Sequence, residues 1–464
     1  MIRFPRRIVA TVSLLLVLAA AVPIAALAAA FQLPPVTRAT LDNGLTVIVM
    51  PTRRLPLVDF RMVVRAGSVD DPAGKEGLAS LTADLMTQGA GNRTAKQIAE
   101  DIEFVGGDLA ADADAEQIVV TCEVLRKDLA TGLEIFRDVI VSPTFTPDDF
   151  QRKKDEALGE IASERDDPAT VANNQLLPFA WGKHPLGHPP IGWEASVGLI
   201  TRDDVAGFHA RTVRPDRALL AVVGDVDPQS VIASIKSAFA GWKKSDGKAG
   251  ESYSAPVQQG GRRVLIVSKP EVTQTQIRLV CPGVPRNHPD YYPIRVANTI
   301  LGGGFTSRLV NEIRVVQGLT YSIRSSFTMN RRAGLYGITT FTRNATLRKT
   351  IDATLAEVRK LRDQGPTDAE LDKAKRYITG QYPIGLQAPD DLAEALLDVE
   401  FYGLPPDYIQ TFATRINAVT MADVRRALKS YFCVDELSIL VVSNPDSAKK
   451  DLEGLGPIEV KALQ

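Results

Sequence analysis

TRDDVAGFHARTVRPDRALLAVV, from Thr201 to Val223, and TMADVRRALKSYFCVDELSILVV, from Thr420 to Val442, encode one structural unit twice. They align without a gap at an offset of 219 residues. Each opens with Thr-x-x-Asp. In that pattern the Thr side chain accepts from the third helical amide, and the acid returns the bond to the Thr amide. An amphipathic helix follows, then a turn, then a β-branched strand. A second pair agrees: TPDDFQRKKDEALGEIASERDDP begins at Thr146, and TDAELDKAKRYITGQYPIGLQAPDD begins at Thr367, an offset of 221. Nearly equal offsets at two separated places indicate duplication.

The chain of 464 residues therefore reads as two halves, 35–245 and 262–460. They are joined by a polar, Gly- and Ser-rich linker over 246–261. Each half opens with strands, NGLTVIVM and VDFRMVVRAGS in the first, RRVLIVSKP and QTQIRLVCPG in the second. Their alternation predicts antiparallel pairing with one covered face. The fold expected is α+β, an antiparallel sheet covered by helices, built twice and joined as a clam-shell.

Composition narrows the function. Hydrophobic residues make up 45% and charged residues 23%, the balance of a globular protein. The net charge is -1, and three of the basic residues but none of the acidic ones lie in residues 1–30. A near-neutral body argues against nucleic acid as a partner. Residues 1–30 have the form of a secretory signal. Arg3, Arg6 and Arg7 precede an apolar run from Ile8 to Val22, and Ala26-Leu27-Ala28 fits a cleavage site. Export to a periplasm is the expectation, with membrane anchoring if the segment is retained. Cys122, Cys281 and Cys433 are too few for a disulfide framework and read as small buried hydrophobes.

The stretch Gly67 to Gly91, GSVDDPAGKEGLASLTADLMTQGAG, places Leu78, Leu81, Leu85 and Met86 on one helical stripe. Here the sequence resembles the M16 family of zinc peptidases, whose first half carries GS-x-x-(D/E)-x-x-x-x-x-GLAH-x-x-EH. In that family two histidines one helical turn apart bind zinc, and the glutamate between them is the general base. The matching positions here are Ser80, Ala83 and Asp84. A serine hydroxyl is a poor zinc ligand, an alanine moves no proton, and a lone carboxylate does not hold catalytic zinc. The resemblance sets Glu160, in DEALGEIASERDDP, at the family's third ligand, where an ordinary exposed helix acid is the simpler reading. Lys153, seven residues earlier, adds a cation that would repel metal. No metal is expected in this chain. The His184-Pro185-Leu186-Gly187-His188 loop contains helix breakers and resembles a family loop without zinc duty. His209 and His288 read as isolated surface residues.

The second half departs less. Residues 301–323, LGGGFTSRLVNEIRVVQGLTYSI, resemble the family's Gly-rich, SRL and R-x-x-x-x-(G)-x-Y stretch, with Arg314 and Tyr321 at the family's spacing. The resemblance implies that this guanidinium and phenol donate to the substrate carbonyl and to the charge of the tetrahedral intermediate. On the residues alone, Arg314 could instead pair with Glu312 or solvate a helix face, and Tyr321 could be a buried aromatic with a satisfied hydroxyl. Gly302, Gly303 and Gly304 would serve close backbone approach or a tight turn.

Some members of the family are heterodimers, with one subunit bearing the zinc motif and the other the Arg/Tyr pair. That pattern implies a non-zinc subunit, inactive alone, whose partner holds the Zn and whose substrate is a peptide or unfolded segment. The rival expectation is a stand-alone, catalytically inactive peptide-binding or chaperone-like module.

Overall fold

The computed structural model describes residues 33–245, 253–255 and 261–463. The expected signal segment, 1–30, and most of the expected linker lie outside the described residues. Two six-stranded sheets carry the fold. The first contains β1 (Thr37–Thr40), β2 (Thr46–Pro51), β3 (Leu57–Val64), β6 (Asp108–Ala113), β7 (Ile118–Leu125) and β8 (Ala218–Gly224). The short pair β4 (Gly89–Ala90) and β5 (Arg93–Thr94) stands apart. The second sheet contains β9 (Val264–Ser268), β10 (Gln274–Pro282), β11 (Ile323–Met329), β12 (Gly334–Arg343), β13 (Ser438–Ser443) and β14 (Ile458–Ala462). Their orders are β1-β2-β8-β3-β7-β6 and β11-β12-β10-β13-β9-β14. Read from opposite ends, the two orders superimpose, which is the duplication in three dimensions.

The sheets are mixed. β3 pairs antiparallel with β7 and β8, and β10 with β12 and β13, as the alternation predicts. β2 and β8 run parallel, as do β9 and β13. These pairs are separated by most of a half, and a parallel pair needs such a long crossover. The outermost strands break the symmetry: β1 is antiparallel to β2, whereas β14 is parallel to β9.

The expectation of one covered face is corrected at the sheet centres. Val58, Phe60, Met62, Leu220 and Val222 belong to the first half's core. Met50, Val63, Leu219, Ala221 and Val223 alternate with them and are buried as well. The helix Pro389–Phe401, from the second half, packs on β3 and β8. Reciprocally, the helix Pro168–Trp181, from the first half, packs on β10 and β13. There Val171, Ala172 and Phe179 join Leu265, Val267, Val280, Leu440 and Val442 in one core. Each large apolar side chain so buried contributes roughly 1.5–3 kcal/mol. The two helices start 221 residues apart, the offset of the repeat.

The polar contacts of the exchange repeat too. Arg61 on β3 donates to Glu394 at 2.9 Å, and Arg278 on β10 donates to Asn173 at 2.9 Å. Residues 173 and 394 are again 221 apart. Glu116, at the tip of the β6–β7 hairpin, accepts from the backbone amide of Arg331 at 2.9 Å and from the Tyr253 hydroxyl at 2.6 Å. Tyr253 is buried, so the linker is pinned partway along its length. The halves interlock, and residues from Pro35 onward form one compact unit.

The cysteine reading is also corrected. Cys281, at the end of β10, and Cys433, after the helix Met421–Tyr431, form a disulfide with Cα atoms 6.8 Å apart. Cys122 is free and buried, as expected of a small hydrophobe.

Candidate functional site

The frame of the first-half motif is intact. The helix Leu78–Met86 begins at Gly77, whose φ of 103° suits glycine. Asp71 caps this helix from a distance: its carboxylate accepts from the Gly77 amide at 2.8 Å and from the Ala79 amide at 2.8 Å. The His184–Gly192 loop locks the same helix end. A Cβ on Gly192 would lie 2.0 Å from the Glu76 carbonyl, and one on Gly77 2.5 Å from that of Ile191. Ser196 donates to the Glu76 carbonyl at 2.7 Å. These contacts give the loop a structural duty. Both ring nitrogens of His184 are engaged, by the Leu186 amide and the Ser254 carbonyl. Replacing Asp71 with Ala orphans two buried amides, so Asp71→Ala is expected to lower stability by about 2–3 kcal/mol in urea unfolding, with the far-UV spectrum unchanged.

Within this frame the side chains do not suit zinc. Ser80 and Asp84 are half-buried, and Ala83 is fully buried in the first core. The Lys153 ammonium acts electrostatically on Asp84 and forms an ion pair with Glu156 at 2.9 Å. Glu160 is exposed on the helix Pro147–Glu164. Among the described residues no group of three or more His, Cys, Asp or Glu is placed to hold a metal ion. The charges acting on Asp84 are the Lys153 ammonium and the carboxylates of Asp112, Glu160 and Glu156.

Burial pushes Asp84 up to about 6, against the pull of Lys153. It pushes Asp71 to about 8 against its two amide donors, Asp59 to about 7 and Asp398 to about 6. The last two lie where the helix Pro389–Phe401 meets the first sheet. A carboxyl whose folded value is raised binds its proton more tightly when folded. The stability it contributes is complete below about pH 4 and is lost as pH rises through 6 to 8. His209 works the opposite way below its unfolded value of about 6.5, since burial lowers it to about 4. The four acids outnumber it. The unfolding midpoint is therefore expected to be higher at pH 5.5 than at pH 8, and Asp59→Asn should shrink the difference; a midpoint that rises with pH would contradict this. His209 bonds the Ile140 carbonyl at 2.9 Å, and His288 packs on the Tyr431 ring, so neither is the isolated residue expected.

The second-half motif is assembled around two π-helical segments, Thr299–Gly303 and Val310–Val316, a geometry common where backbone is shaped for function. Gly302 makes the close approach expected of it, since a Cβ there would lie 2.6 Å from the Ser325 amide of β11. Asn298 donates to the Ser325 carbonyl at 3.1 Å and accepts from its hydroxyl at 2.7 Å, fastening the glycine segment to the sheet. From the second π segment Arg314 lies over the Tyr321 ring, 4.7 Å from its centroid, and 5.6 Å from that of Phe305. Tyr321 is 74% exposed and Phe305 75%.

The pairing of Arg314 with Glu312 and the burial of Tyr321 are not what the structure has. Glu312 is taken by Gln317 at 2.9 Å, and no ion pair of Arg314 occurs among the described residues. Tyr321 is not buried. Phe305 was missed in the sequence, although an aromatic directly after GGG was its signal. Val315 and Val316 are exposed beside the pair, so polar donors sit within an apolar surface.

The two candidate sites stand on different sheets. The helix Leu78–Met86 packs on β6, β7 and the helices Pro147–Glu164 and Arg202–Thr212. The segment Val310–Val316 packs on β11 and the helix Leu347–Gln364. Among the described residues no hydrogen bond, ion pair or ring contact joins Arg314 or Tyr321 to Ser80, Ala83, Asp84 or Glu160.

Residues 48–192 match the family described as Insulinase (Peptidase family M16), and residues 199–378 the family described as Peptidase M16 inactive domain. An uncharacterized zinc protease of Mycobacterium leprae is 32% identical over 363 residues, covering 76% of this chain and 79% of its own. A protein of Helicobacter pylori described as a non-peptidase homolog is 24% identical over 410 residues, covering 87% and 92%. The crystal structure of a peptidase M16 inactive domain from Pseudomonas fluorescens superimposes with a TM-score of 0.83 at 28% identity, covering 88% of this chain and 98% of that one.

Proposed function

This chain belongs to the M16 family of peptidases, and from that premise we propose that it is the non-zinc subunit of an exported heterodimeric peptidase. In this reading Arg314 and Tyr321 complete the active site of a zinc-bearing partner. The observation that carries it is the contrast between the two sites. At the first, Ala83 is buried in the core and Lys153 pairs with Glu156, so neither base nor ligand is offered, whereas the second presents a guanidinium without an ion pair among the described residues and an exposed phenol side by side. A guanidinium and a phenol hydroxyl converging on one carbonyl oxygen orient it and stabilise the negative charge that develops there. The partner would supply the metal and the general base. The substrate would be an extended peptide or unfolded segment, held by adding a strand to a sheet edge.

The Cys281–Cys433 bridge supports the exported location, because disulfides persist in oxidising compartments. The likeness to a non-peptidase homolog favours the second reading, a peptide-binding or chaperone-like module without catalysis.

The decisive experiment is reconstitution. The chain is mixed with a zinc-motif M16 protein of the same genome, and cleavage of a quenched fluorescent peptide is measured for each alone and for both together. Activity only, or mainly, in the mixture is expected. Peptide binding by the lone chain with no gain in rate on adding the partner would favour the second reading.

A further inference from the structure

Beside the Arg314–Tyr321 pair the second half carries a cavity of about 280 Å³. One wall follows the π-helical turn Thr299–Gly303 and contributes Phe305 and Ser307. The other is a single stripe of the helix Asp368–Gln381: Glu370, Lys373, Ala374 and Tyr377, spaced i, i+3, i+4 and i+7. Arg308 binds Glu370 through two bonds, of 2.6 and 2.9 Å, which neutralises that carboxylate and holds the walls together. Ser307 is 3% exposed and its hydroxyl has no hydrogen-bond partner. Lys373 is exposed at the rim, with no ion pair among the described residues. Phe305 belongs to both places: it lines the cavity, and its ring is one of the two that Arg314 approaches.

We propose that this cavity is a side-chain subsite for the peptide handled at Arg314 and Tyr321, taking an aromatic residue whose neighbour carries a carboxylate that meets Lys373. Calling the occupant a substrate peptide rests on the function proposed above. Three observations select it. The cavity adjoins the pair at Phe305, whose ring lines it and lies 5.6 Å from the Arg314 guanidinium. Its rim is formed by two partly exposed aromatic rings, Phe305 and Tyr377, against which a third ring stacks favourably. The free charge at that rim is positive, so it discriminates by sign in the adjoining peptide position.

The test uses the full chain alone and labelled extended peptides with Phe or Ala at one position and Asp or Lys at the next, read by fluorescence anisotropy. Phe-Asp should bind about tenfold tighter than Ala-Asp, the worth of burying one aromatic side chain. Phe-Asp should also bind tighter than Phe-Lys. Ala374→Leu fills the cavity and should erase the Phe preference. Lys373→Glu should reverse the charge preference. Tyr377→Ala, at the exposed rim, should reduce the Phe preference without risk to folding, and thermal melts report whether Ala374→Leu stays folded.

Equal affinities across the peptides would overturn the proposal. So would a uniform loss in every variant, or loss of partner association with peptide selectivity intact. The two levels separate cleanly. If Arg314→Ala leaves cleavage in the reconstituted complex untouched while side-chain selectivity persists, the catalytic reading fails and the subsite stands. If cleavage needs Arg314 but is blind to the cavity variants, only the subsite fails.

Discussion

Arg314→Ala, in a complex reconstituted with the zinc-bearing partner, is expected to lower kcat/KM for peptide cleavage by about 10²–10³. That is the usual cost of removing one donor aimed at a developing oxyanion. The loss should fall mainly on kcat, because the bond strengthens as the carbonyl oxygen gains charge. Folding should hardly change. Arg314 has no ion pair among the described residues, and the ring contacts it would lose with Tyr321 and Phe305 are partly exposed, together worth about 1 kcal/mol. Tyr321→Phe removes one hydroxyl and keeps the ring under Arg314, so it should lower kcat with KM nearly unchanged. Arg314→Lys keeps the charge and loses the planar fork, and should recover only part of the rate. Association with the partner, measured separately, distinguishes catalysis from docking. A complex that forms normally and cleaves within twofold of wild type in the Arg314→Ala variant would remove the pair from the mechanism.

That prediction was reachable from sequence through the resemblance to the family, whose second-half motif is local. Arg314 and Tyr321 are seven residues apart, and the Gly302–Gly304 run needs only the nearby Ser325 strand to explain it. The duplication was legible because its signals are local as well. Thr201 with Asp204, Thr367 with Glu370 and Thr420 with Asp423 all form the reciprocal caps that their spacing encodes. What resisted reading was non-local. An apolar stripe states that the helices Pro168–Trp181 and Pro389–Phe401 are buried on one side, but not which sheet they cover. Arg61 with Glu394, and Arg278 with Asn173, reveal the exchange only once the chain is folded. His209 was misread because its partner, the Ile140 carbonyl, lies 69 residues away. The degenerate site was half legible. The departures from the family's ligands at Ser80 and Asp84, and from its base at Ala83, are plain once the resemblance is drawn. The role of Asp71 as a remote helix cap, which explains why the frame outlives its chemistry, needed the geometry of the Gly77 turn.

The exchange gives the disulfide its importance, and with it the second large expected effect. Cys281 is the penultimate residue of β10, the strand on which the borrowed helix Pro168–Trp181 lies, and Cys433 precedes β13, the other strand that this helix covers. The bridge closes a loop with a sequence separation of 152 residues. In the chain-entropy account, constraining a loop of that length in the unfolded state is worth roughly 5 kcal/mol, an upper figure since residual structure in the unfolded chain reduces it. Reduction, or Cys281→Ser with Cys433→Ser, is therefore expected to lower the guanidinium midpoint markedly while leaving the native far-UV spectrum unchanged. Because the halves interlock through both borrowed helices, the loss should be felt by the whole of the molecule from Pro35 onward, with first-half and second-half probes shifting together. Thiol titration supplies an independent reading. The unreduced, denatured protein should expose one thiol, Cys122, and the reduced protein three. Three thiols without reductant would show that the bridge is absent. A midpoint unmoved by reduction, with one thiol confirmed, would instead place the stabilisation entirely in the exchanged helices and their cores.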